Sequence, residues 1–211
     1  MSESRRQSPL VEHEAVRNND RESDLSEHKY LGHYNLRGDI DNARLQDVIR
    51  ENFSLALPKT ANTWHGNDQY RICWMGPDEW LLITDPALDD EKRRGISLAL
   101  QDSHYTFVDI SSGQTIIRVQ GVNSRSLLNR GCTLDLDGIH TGPDFCAQTL
   151  MAKCSVLLIE NAAKSSATSS ATSLYDIVVR RSFADYLWRW MIHVRDNLIP
   201  FDSSTGSIDA I

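Results

Sequence analysis

The stretch from Leu174 to Trp190 couples a strand directly to a helix, and it constrains the fold more than any other part of the chain. Leu174 to Val179 is a β-like run that stops at Arg180-Arg181. Ser182, followed three residues later by Asp185, predicts a capping-box helix start, with Asp in place of the longer Glu. At about 100° per residue, Phe183, Leu187, Trp190, Met191, Val194 and Leu198 form one apolar stripe. Ala184, Trp188 and Ile192 form a second stripe beside it. A surface helix of a globular protein normally has one apolar face. Two stripes with a tryptophan in each require burial on two sides. Either both sides are covered within this domain, or the Trp188 side docks on another chain, where Trp and Arg are favoured anchors. The second reading makes Arg180, Arg181, Trp188, Arg189 and Ile192 candidate interface residues.

The 211 residues suffice for one large domain or two small ones, and 40% of them are hydrophobic, so a sizeable core is expected. The net charge of −7 argues against unaided nucleic-acid binding and against docking on anionic membranes. Cys73, Cys132, Cys146 and Cys154 form no Cys-x-x-Cys pair, so a zinc site is not expected, and so few cysteines in a long chain without a secretory leader predict reduced thiols and a cytoplasmic location. Arg5-Arg6 is not followed by the apolar segment of an export signal. No apolar run approaches the ~20 residues that span a bilayer.

Residues 1–28 are polar and charged and read as a flexible tail, as do residues 203–211. The domain between them, 29–202, is compatible with two subdomains, 29–120 and 121–202. Tyr30 to Leu36 is a predicted strand. Asp41 is a predicted cap for a helix bearing Leu45, Val48, Ile49 and Phe53 on one face. Tyr70 to Met75 and Trp80 to Thr84 flank Gly76-Pro77-Asp78-Glu79 as a hairpin. Asp89 or Asp90 caps a second helix. Tyr105 to Ile110 and Thr115 to Val119 are β-branched runs joined by the tight turn Ser111-Ser112-Gly113-Gln114. Gly121 leads into a short helix with Leu127 and Leu128, closed by Gly131. Ser155 to Glu160 pairs with Leu174 to Val179 across a Ser-Ala-Thr-rich insertion, Asn161 to Ser173. Hairpins outnumber βαβ crossovers, which gives an α+β fold with mostly antiparallel sheet.

Chemistry-bearing motifs are sparse. The sequence has neither a Gly-x-Gly-x-x-Gly phosphate turn nor a Gly-x-Ser-x-Gly nucleophile elbow. Asp109, just before Ser111-Ser112-Gly113, is expected to hydrogen-bond the turn backbone rather than act as an acid or base. Cys132, Asp135, Asp137, His140 and Cys146 lack the close-spaced pairs of a zinc site. His193 reads as a surface residue. Trp64, Trp74, Trp80, Trp188 and Trp190 read as core or interface rather than as a stack for a flat ligand. No catalytic, cofactor-binding or metal-binding residue is assigned.

Six segments stand out in order: Leu36-Arg37-Gly38, Gly76 to Leu82, Asp109 to Gly113, Gly131 to Leu136, Cys146 to Thr149 and Val179 to Trp188. Together they resemble the gamma subunit of heterotetrameric sarcosine oxidase. The resemblance covers about Tyr30 to Arg195. It implies a shortened relative of the folate-binding domain of glycine-cleavage aminomethyltransferase. It also implies a non-catalytic structural subunit of an enzyme that oxidatively demethylates sarcosine to glycine. FAD, FMN, NAD, tetrahydrofolate and zinc would then sit on partner subunits, alpha, beta and delta. The alternatives are a stand-alone folate-dependent aminomethyltransferase-like enzyme, a folate-binding module, or a subunit of a related N-methylglutamate dehydrogenase.

Overall fold

The computed structural model describes residues 7–13, 23–137, 144–161 and 173–197. Fully buried apolar residues alternate along its strands between two opposite environments, so each sheet is covered on both faces. In β5 (Glu79–Thr84), Trp80 and Leu82 face helices, while Leu81 and Ile83 face the other sheet. In β10 (Ser173–Arg180), Tyr175, Ile177 and Val179 face helices and Val178 faces the other sheet. This period of two, with both faces apolar, requires a stack of helices, sheet, sheet and helices.

One sheet has the order β3 (Trp64–Gly66), β4 (Tyr70–Gly76), β5, β2 (Gly32–Gly38), β6 (Tyr105–Asp109). It carries α1 (Ala43–Phe53) and α2 (Asp90–Ala99) on its outer face. The other has the order β1 (Asp24–His28), β7 (Gln114–Gly121), β10, β9 (Cys154–Asn161), β8 (Cys146–Met151). Its outer face packs α3 (Ser124–Asn129) and α4 (Arg181–Asp196). The strand pairs are antiparallel, as expected; Ile177, for example, stands opposite Ile117 and Leu158.

The helix faces follow the sequence pattern. Leu45, Val48, Ile49 and Phe53 of α1 are all buried, but the cap is Asn42, whose side chain accepts from the Leu45 N–H at 3.2 Å. Asp41 falls one residue too early. Asp89 caps α2 through the Lys92 N–H at 2.7 Å.

Three expectations change. First, β6 and β7 are not a hairpin. The turn Ser111–Gly113 passes the chain from one sheet to the other, and β6 pairs with β2 while β7 pairs with β1 and β10. Second, the 1–28 tail contains packed structure. Leu10 and Leu25 are fully buried, and Asp24–His28 forms an edge strand whose charged residues stand at half-buried positions. Two leucines placed at the end of a core outweigh a polar composition. Third, Gly131 serves close approach rather than a left-handed cap, since a Cβ there would lie 2.4 Å from the Trp190 ring. The strands β1, β3 and β8 add to the elements that the sequence pattern predicts. The remainder of the 1–28 tail, the core of the Ser-Ala-Thr insertion at 162–172 and the tail 203–211 lie outside the described residues.

The two sheets are tied by a buried ionic cluster. Asp176, on the inner face of β10, accepts from Arg118 at 2.7 and 2.9 Å and from Arg71 of the opposite sheet at 2.9 Å. Burial by itself would raise the Asp176 carboxyl. Hydrogen bonds from Arg118, with the charges of both arginines, more than offset it and hold the pKa at about 2. Arg71 also lies over the Trp64 ring, 4.7 Å from its centre.

Candidate functional site

The helix α4 begins at Arg181, two residues before the expected start at Phe183, and Arg180 holds the cap position without a side-chain cap bond. Ser182 is therefore inside the helix, and Asp185 is released for other partners. Its Oδ1 accepts from His13 Nε2 at 2.6 Å and from Arg189 Nε at 3.0 Å. These two bonds, the one from His13 first, lower its carboxyl pKa.

The buried residues of α4 are Ala184, Leu187, Trp188, Met191 and Arg195. The two apolar stripes merge into one broad buried face that includes Trp188, while Trp190, Ile192 and Val194 pack half-buried at its edges. Phe183, expected in the stripe, is instead 45% exposed. Trp188 is 2% exposed because residues 7–13 of the same chain cover its second side. Leu10 inserts into the core beside it, the His13 ring lies 5.9 Å from the indole, and Arg181 donates to the Gln7 carbonyl at 2.6 Å. Trp188 thus lies beneath the surface while Ile192 stays half-buried at the edge, and the open rim of the helix includes Arg180, Arg181, Phe183, Tyr186 and Arg189, with Ser182 and Asp185 among them. The N-terminal cover was not readable from sequence, because its contact pairs residues 172 positions apart.

The other candidates fall as follows. Asp109 Oδ1 accepts from the Ser111 N–H at 2.9 Å and from its hydroxyl at 2.6 Å, which is the turn-bonding role, and Arg93 stands 3.5 Å from Oδ2. Cys132 lies near the Thr149 hydroxyl, Asp137 accepts from Asn129, and Cys146 is buried against the Thr63 carbonyl. No cluster of three metal-ligating side chains occurs among the described residues, and His140 lies outside them. His193 is exposed. Trp80 is fully buried and donates to the Pro58 carbonyl at 2.9 Å. No helix among the described residues is long and apolar enough to cross a membrane.

A cavity of about 580 Å³ opens where the gap between the sheets meets the N-terminal segment. Residues 7–9, Glu27, Tyr30, His33, Gln114 and Arg181 are among its walls. His33 is 1% exposed, and burial lowers its pKa to about 4 against the opposing charge of Asp109, so the ring is neutral. One histidine in a strand carries no sequence pattern, so nothing local marks it.

Two antiparallel sheets stacked between helices define an α+β protein with the fold of the aminomethyltransferases. Glycine cleavage system aminomethyltransferase T from Bartonella henselae superposes with a TM-score of 0.58 at 8% identity, over 82% of this chain and 46% of that one. Within that class the chain belongs to the sarcosine oxidase gamma subunit family, whose model matches residues 37–196. Sarcosine oxidase subunit gamma of Corynebacterium sp. (strain U-96) is 27% identical over 123 residues, 57% of this chain and 54% of that protein. The subunit gamma of Corynebacterium sp. (strain P-1) is 26% identical over 146 residues, 69% of this chain and 66% of its own length. The matches thus span between about half and two thirds of these relatives. A chain of the heterotetrameric sarcosine oxidase from Corynebacterium sp. U-96, solved in complex with pyrrole 2-carboxylate, shares the fold with a TM-score of 0.74 at 20% identity. That alignment covers 90% of this chain and 94% of that one.

Proposed function

We propose that this chain is a non-catalytic structural subunit of a heterotetrameric, cytoplasmic sarcosine oxidase that demethylates sarcosine to glycine. Family membership over residues 37–196 is the observation that carries this reading. Flavin on a partner would supply the amine dehydrogenation, and tetrahydrofolate, NAD and zinc would likewise be held by the alpha, beta and delta partners. This chain's part is to bury partner surface and keep those subunits in register. The open rim of α4 supports that role: Arg180, Arg181 and Arg189 stand beside exposed Phe183 and Tyr186, a mixture of arginine and aromatics favoured at interfaces. Trp188 forms the packed base under this rim, and Ile192 lies half-buried at its edge.

Expression of the chain alone and beside its partner subunits tests the proposal. The lone chain is expected to be colourless and inactive, and to copurify with a yellow complex that oxidises sarcosine. Charge reversal of Arg180 and Arg189 is expected to weaken that copurification. Turnover of an N-methyl amino acid by the isolated chain overturns the reading.

A further inference from the structure

We propose that the cavity between residues 7–9, the β1–β2 turn and Ser111–Gly113 is a binding site for a small zwitterion of the α-amino-acid class, which goes beyond the subunit role. Neither ring nitrogen of the buried His33 has a hydrogen-bond partner, and the buried Gln114 Oε1 has none either. Both residues line the cavity. Buried polar groups are rarely left unpaired, because the lost hydration is not recovered. A ligand bonded to them recovers it.

The remaining walls specify what that ligand carries. Glu27 is held in place by the Ser8 hydroxyl and by Thr115 at 2.6 Å, and Asp109 by Ser111. Glu27 and Asp109 present carboxylate oxygens, Gln114 an amide oxygen, and a neutral imidazole one acceptor and one donor. The hydroxyls of Ser8, Tyr30, Ser111, Ser112 and Thr115 can give or accept, and Asp109 is already paired with Arg93, so Glu27 carries the negative charge that a ligand's cationic group, an ammonium or guanidinium, complements. Arg181, the first residue of α4, adds a guanidinium to the lining, one nitrogen of which already donates to the Gln7 carbonyl. A carboxylate on the same ligand pairs with it. The volume of about 580 Å³ lies in the usual range of small-molecule sites and admits an amino acid with a long side chain.

Calorimetric titration of the purified full chain with L-arginine, glycine, methylammonium and acetate is the test. Saturable binding of L-arginine or glycine is expected, with methylammonium and acetate each weaker by about tenfold or more. Glu27→Gln removes the charge and keeps one hydroxyl donor, the other hydroxyl turning to accept from the amide NH2, and is expected to weaken binding by about tenfold. His33→Leu is expected to abolish binding while raising the melting temperature of the free chain, because it removes an unpaired buried group. Failure of both amino acids to bind overturns the site, as does binding that is unchanged in Glu27→Gln and His33→Leu. Copurification with partner subunits is independent of either result, so loss of this site leaves the subunit reading standing.

Discussion

The imidazole of His13 lies over the indole of Trp188, with ring centres 5.9 Å apart and planes inclined by 33°, while its Nε2 holds Asp185 one turn back on the same helix. One short segment near the N-terminus thereby decides whether the second apolar stripe of α4 is surface or core. Leu10 anchors that segment at zero exposure.

Leu10→Ala is expected to cost about 3 kcal/mol of stability, from lost transfer energy plus the cavity left behind. His13→Ala removes the cover without emptying the core. It is expected to shift Trp188 fluorescence to longer wavelength at a smaller loss. Denaturant melts and emission spectra of the two variants separate these effects.

Asp176→Asn breaks the tie between the sheets and leaves Arg71 and Arg118 without their shared counter-ion. Removing one partner of a buried ion pair costs about 3–5 kcal/mol. The wild-type contribution depends on acid. The folded carboxyl titrates at about 2, below its ordinary value of 3.8. The unfolded chain therefore takes up its proton first as pH falls. The stabilisation is complete above 3.8 and is lost as pH drops toward 2, a window that should flatten in the Asn variant.

His33 acts in a higher window. Its folded pKa is about 4 against an ordinary 6.5, so between these values the unfolded chain binds the proton that the folded chain refuses. Stability is full above 6.5 and falls as pH drops to 4, by about 3 kcal/mol. Urea melts at pH 7 and 5 should show the decline in wild type and a shallower one in His33→Leu.

Gly131→Ala places a methyl group 2.4 Å from the Trp190 ring, at a position where the backbone is not left-handed. The cost is therefore steric and falls in the range of about 1–3 kcal/mol. Pairing it with Trp190→Phe should return part of the loss, which a double-mutant cycle reads directly.

Much of the architecture is legible residue by residue. The α1 face, the Asp89 cap, the β4–β5 hairpin and the β9–β10 pair all follow from periodicity and turn chemistry within a few residues. The misreadings share a cause. Ser182–Asp185 has the spacing of a capping box, but His13 and Arg189 draw Asp185 away. Ser111–Gly113 has the composition of a hairpin turn, but the flanking strands find partners in different sheets. The strand β1 has a single large apolar residue, Leu25, and cannot announce itself by pattern. Of the candidate interface, the arginines stayed at the surface, whereas Trp188 was taken into the core by a segment far away in sequence.

By itself the sequence determined all four α-helices of the described residues, most of the core strands and which of their faces are apolar, because these depend on the 2.0 and 3.6 residue periods of the local backbone. The tertiary structure alone decided what covers each face. It put Leu10 and His13 on Trp188, both arginines on Asp176, and His33 without a partner beside a cavity. Those outcomes depend on contacts between residues far apart in the chain, whose pairing no local period encodes.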